Sequence, residues 1–86
     1  PRIAAEIARA GLPTVDVSAG RLMPECPMVE TDNEVIGRLA FEHLRDRGLR
    51  QFGFCGDERF AWSRLRSAVF TRLAAENQSP CSVYPT

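Results

Sequence analysis

Trp62 and Arg66 stand four residues apart, so on a helix they lie one turn apart on the same side. An indole offers a broad apolar face, and a guanidinium offers a rigid planar fork of N–H donors. Together these match a sugar, which presents an apolar C–H face and a rim of hydroxyls. The same spacing also suits a tryptophan packed in a core beside an arginine at the surface. Phe60, just before the pair, and Arg64, between its two members, would shape or solvate its mouth.

Asp16 closes a short β-rich run, where a carboxylate could accept two hydroxyl hydrogen bonds; as a turn-forming aspartate it needs no ligand. Asp32 and Asn33 could meet a ligand from a helix N-terminus, and a capping role explains the same pair. His43 is the one histidine, and no serine or cysteine is arranged around it for nucleophilic chemistry. It would line a helix-to-sheet contact or support the end of its helix. Asp57 and Glu58 follow an expected strand, the place of an acid in several α/β enzymes. Without a lysine, a metal-ligand set or a Gly-rich phosphate loop, they read as solvated loop residues. No catalytic residue, metal site or cofactor is expected.

The elements that must position these residues alternate. "RIAAEIARAG" carries Ile3, Ala4, Ile7 and Ala8 at helical spacing, with Gly11 where a left-handed cap belongs. "LPTVDVS" is a short strand with Val15 and Val17 on one side, its carboxyl end at Asp16 to Ser18, and residues 19–27, with Gly20, Pro24 and Pro27, form a loop. "MVE" adds a brief strand. Thr31 and Glu34 form a capping box that opens a helix with an apolar stripe of Val35, Ile36, Leu39, Ala40, His43 and Leu44. Arg45, Arg47 and Gly48 close it. "QFGFC" reads as a strand covered on both faces, residues 60–77 as a helix with Leu65, Val69 and Leu73 on one side, and "CSVY" as another strand. Helix, strand, helix, strand is the pattern of an α/β parallel sheet with helices on both faces, whose ligand crevice lies beyond the carboxyl ends of the strands.

Composition narrows the function classes. Eighty-six residues, 44% hydrophobic and 26% charged, describe at most one globular domain. Eleven arginines balance eleven acids with no lysine, so no basic face for nucleic acid is expected in this segment. No run approaches the ~18 apolar residues of a spanning helix, which excludes a membrane role for such a run. Cys26, Cys55 and Cys81 are odd in number and lack metal-ligand spacing, as reduced thiols in a cytoplasmic protein would. The chain starts at Pro1 without a methionine and stops at Thr86 inside an expected strand, so it reads as a fragment.

"GLPTVDVS" followed by "VETDNEVIGRLAFEHLRDRGLRQFGFCG" resembles the effector-binding domain of LacI/GalR-type bacterial transcription regulators. The shared pattern is a strand after a Gly-Leu-Pro turn, then an Asp-Asn pair opening a helix with Gly37, Ala40 and Glu42-His43-Leu44, and Gly48 before the next strand. "FAWSRLRSAVF", with Trp62, Arg66 and Phe70, is similar to the xylose operon regulators in particular.

The resemblance implies a fragment of a two-lobed periplasmic-binding-protein-like type I domain, with residues 1–28 ending the first lobe, a crossover near 28–32, and residues 33–86 in the second lobe. It implies that Arg66 binds sugar hydroxyls, that Trp62 forms part of the pocket wall, and that Asp16 matches a position that can contact sugar. It further implies a small-molecule effector, D-xylose or a related pentose. Operator DNA would be read by a module outside these residues, AraC-like and C-terminal in the xylose branch, in a homodimeric full-length protein. A periplasmic sugar-binding protein of an ABC transporter shares the fold and is the alternative.

Overall fold

The computed structural model describes residues 2–17 and 22–84. They fall into two compact units, Pro1–Thr31 and Asp32–Thr86. In the first, helix α1 (Arg2–Ala10) ends where Gly11 takes the left-handed conformation, φ +69°, as the sequence predicts. The expected strands "LPTVDVS" and "MVE" are reduced to one parallel bridge between Asp16 and Met28. It is held by Asp16 N–H donating to the Pro27 carbonyl and Val29 N–H to the Asp16 carbonyl, both at 2.9 Å. Pro13 and Pro27 lack the N–H that a longer ladder needs, and the Thr14 hydroxyl turns to the Leu12 carbonyl instead. Ser18 and Gly20 lie outside the described residues.

The second unit runs α2 (Asn33–Asp46), β1 (Phe52–Cys55), α3 (Ala61–Glu76) and β2 (Cys81–Tyr84). The strands pair in parallel with Phe52 opposite Cys81 and Cys55 opposite Tyr84, giving the parallel α/β arrangement expected. The start of α2 differs from the expected box by one residue. Asp32 is the N-cap, its carboxylate accepting from the Val35 N–H at 3.2 Å. An ionised carboxylate suits the positive end of the helix dipole at least as well as the Thr31 hydroxyl. Glu34 is then released to pair with Arg72 at 3.0 Å and, more loosely, with Arg38 at 3.8 Å.

The core is aromatic. Phe41, Phe52, Phe70 and Ala74 are buried, with Leu44, Phe54, Leu73 and Cys81 packed against them. The Phe41 ring lies 5.1 Å from Phe52 and 5.7 Å from Phe70, tilted and edge-on as ring quadrupoles prefer. This corrects the expected helix faces. The inner line of α2 is Asn33, Gly37, Phe41 and Leu44, while Val35 and Leu39 are exposed. On α3 the inner residues are Val69, Phe70, Leu73 and Ala74, with Leu65 outside. Phe41, the bulkiest side chain on α2, sets its rotation. In β1, Phe52 and Phe54 face the core while Gly53 and Cys55 are exposed, so within this unit the strand is covered on one side, not the two expected.

Candidate functional site

Leaving the carboxyl end of β1, the chain makes a short loop, residues 56–60, before α3 begins. Gly56 permits the tight exit: a side chain there would collide with the Ser63 hydroxyl and stand 2.8 Å from the Phe54 ring. The buried Ser63 hydroxyl accepts the Asp57 N–H at 2.8 Å, tying the loop to the first turn of α3. Asp57 folds over Arg59, with 2.6 Å between its Oδ2 and Nη2, and also accepts the Arg59 backbone N–H. These bonds push the Asp57 carboxyl down to about 2. Arg64 donates to the Glu58 carbonyl at 2.6 Å. The Asp57 side chain and the Glu58 carbonyl therefore both help to fix the loop.

This loop sets the aromatic pair. Phe60, the N-cap residue, and Trp62 stack with planes 14° apart and centroids 5.7 Å apart. The Arg66 guanidinium, one turn further along, lies over the indole at 4.9 Å from its centroid. Trp62 remains 37% exposed, so it is neither a core residue nor a fully solvated one. Arg66 also donates from Nε to the side-chain oxygen of Asn33 at 2.9 Å, crossing from α3 to α2. The guanidinium is thus held in both position and plane. Phe60 does more than shape a mouth, since it backs the indole directly.

Of the residues expected at a site, the structure brings Trp62 and Arg66 together, with Phe60 and Asn33. Asp16 belongs to the first unit, where it is buried and lines an apolar hollow of about 700 Å³ with Ile3, Ile7, Val15, Val17 and Leu22. A second hollow of about 380 Å³ lies among Phe54, Ser63, Arg64, Ser67, Val83 and Tyr84, a place to which neither Trp62 nor Arg66 contributes. His43 is exposed in the last turn of α2, its Nδ1 3.4 Å from an Arg47 nitrogen, and so supports the helix end rather than a helix-to-sheet contact. Asp32 acts as the cap. Asn33 was expected to share that role and instead meets Arg66 from a buried position. Ser63 went unnoticed in the sequence, where nothing distinguishes a buried serine from an exposed one.

No protein-family model matches the chain. It is 34% identical over 64 residues to the xylose operon regulatory protein of Haemophilus influenzae, an alignment covering 71% of this chain and 16% of that protein. The fold superposes with a TM-score of 0.81 on a periplasmic binding protein/LacI transcriptional regulator from Alkaliphilus metalliredigens, whose crystal structure contains D-xylulofuranose. That match covers 95% of this chain and 31% of the other at 24% identity. The chain therefore spans about a sixth of the curated relative and about a third of the solved neighbour. It is a homologue of a xylose operon regulator and carries part of a periplasmic-binding-protein-like fold, as its resemblance implies. Both proteins are named as regulators or binding proteins rather than enzymes.

Proposed function

We propose that these residues form part of the sugar-sensing effector domain of a bacterial transcription regulator, responsive to D-xylose or a related pentose. The observation that carries the reading is the Arg66 guanidinium, fixed by Asn33 and laid over the exposed Trp62 beside the carboxyl end of β1. A preorganised planar donor next to an aromatic face loses little entropy when it engages hydroxyls. Among the described residues, no partner meets the two terminal nitrogens of Arg66. In this reading they donate to sugar hydroxyls and Trp62 packs on the C–H face. The division of the chain between Thr31 and Asp32 supports a lobe crossover near 28–32.

No covalent step is involved. Sugar binds one arrangement of the two-lobed domain better than the other and shifts the population towards it. That shift biases a DNA-binding module outside these residues in a cytoplasmic, homodimeric protein. The name of the Haemophilus relative favours a regulator over the transport-protein alternative, which a secretory signal on the full-length protein would support instead.

A thermal-shift titration of the full-length protein with D-xylose, other pentoses and glucose tests the proposal. A ligand at a hundred times its dissociation constant adds about 2.7 kcal/mol to stability. A shift with D-xylose and none with glucose is the expected result. No shift with any pentose would remove the assignment.

A further inference from the structure

Arg66 reaches across to α2 through a single acceptor, and the identity of that acceptor has consequences for the sugar site. Arginine carries only donors, so the atom facing Nε must be the amide oxygen of Asn33. Asn33 is 6% exposed and sits in the first turn of α2, immediately after the capping Asp32. The two helices come close enough for this contact because the next inward residue of α2 has no side chain: a Cβ on Gly37 would lie 2.9 Å from Val69 and 3.3 Å from the Arg66 carbonyl.

We infer that Asn33 is the positioning residue for Arg66, selecting which edge of the guanidinium is offered to the effector. A guanidinium can present two bidentate edges, one formed by Nε with a terminal nitrogen and one by the two terminal nitrogens together. The bond to Asn33 occupies Nε and so removes the first edge from use. What remains is the end-on edge, with two parallel N–H bonds that match a pair of adjacent hydroxyl oxygens. Trp62 restrains the guanidinium from its face and Asn33 restrains it within its plane, so rotation about the last side-chain bonds is blocked in both senses. Asn33 touches no sugar in this scheme and acts wholly through Arg66. The inference rests on the sugar-site reading of Arg66 for its functional consequence, although the restraint itself is independent of any ligand.

Two measurements on the full-length protein separate these claims. The first is NMR of the Arg66 Nε–H group, assigned by its loss in Arg66→Lys. In the wild type it exchanges slowly with solvent, and in Asn33→Ala exchange accelerates by about ten-fold or more, while Asn33→Asp, which keeps an acceptor oxygen, retains slow exchange. Unchanged exchange in Asn33→Ala overturns the inference whether or not sugar binds. The second is calorimetric titration with D-xylose. Asn33→Ala weakens binding about ten-fold, the loss expected for one hydrogen bond to a charged group, and Asn33→Asp restores most of it. In an Arg66→Ala background, Asn33→Ala has no further effect. An equal loss in both backgrounds would show that Asn33 acts on binding by another route and would overturn the positioning role. Failure of wild-type protein to bind any pentose would defeat the sugar reading alone, leaving the exchange measurement to judge the restraint.

Discussion

Gly37 on α2 faces Val69 on α3 so closely that a methyl group added at Gly37 would stand 2.9 Å from the Val69 Cβ and Cγ1 atoms. Val69 is buried and its Cβ is fixed by the backbone, so the helices themselves would have to move. Two effects oppose each other in Gly37→Ala. Alanine favours the helix by about 1 kcal/mol over glycine, whereas overpacking costs about 1–3 kcal/mol. The second wins here, and chemical denaturation of the full-length protein should show a net loss of about 1 kcal/mol. A gain in stability would mean that α2 and α3 can separate freely.

Phe41 anchors the same interface. It is 1% exposed and meets Phe52 and Phe70 ring to ring. Phe41→Ala should destabilise the folded state by about 3–5 kcal/mol, measured as a lowered denaturation midpoint with an unchanged slope. Leu39→Ala, on the exposed side of α2, should change stability by less than about 0.5 kcal/mol. The contrast between the two checks the rotation assigned to the helix.

Those two helix faces also show where the sequence was legible and where it was not. Whereas the two strands expected in the first unit shrink to one bridge, in the second unit the helices, strands and their order were readable because Gly48, the run "QFGFC" and the aliphatic spacing are local signals. The rotation of α2 was not, because the most aliphatic stripe, Val35 to Leu44, competes with one built on Phe41. Only the position of Phe52 and Phe70, distant in sequence, decides between them. The cap was misplaced by one residue because Thr31 and Asp32 are both good caps. At the site, the Trp62–Arg66 pair was visible from its helical spacing. Its partner Asn33 was not, since 33 positions separate it from Arg66 and no periodicity links the two.

The loop before α3 makes a pH-dependent prediction. Asp57 is pushed from an ordinary 3.8 to about 2, chiefly by its hydrogen bonds to the Arg59 side chain and then to the Arg59 backbone. Because the folded value lies below the unfolded one, the resulting stabilisation is present above about 3.8 and is lost as pH falls through about 2. The pair is solvent-accessible, so the effect should shrink with added salt. A carboxyl-detected NMR titration should place Asp57 near 2, and Arg59→Ala should return it towards 3.8. A wild-type midpoint already close to the ordinary value would show that the Arg59 contacts do not persist in solution.

Glu34 and Arg72 join α2 to α3 across the surface at 3.0 Å, with Arg38 and Glu76 at 3.8 Å on either side. All four side chains are substantially exposed, so the network should contribute little to stability. A double-mutant cycle of Glu34→Ala and Arg72→Ala should give a coupling of about 0.2–1 kcal/mol that falls as salt is raised. A larger coupling insensitive to salt would indicate that the pair is shielded in the full-length protein.

The account turns on Arg66 as a donor to the effector. Isothermal titration of the full-length protein with D-xylose, wild type against Arg66→Ala, is the direct measurement, with the unliganded melting temperature of each recorded alongside. Loss of bonds from a charged donor to hydroxyls should weaken binding by about ten-fold or more while leaving the variant folded. D-xylose affinity unchanged in a folded Arg66→Ala protein would contradict the account and place the sugar away from the Trp62–Arg66 pair.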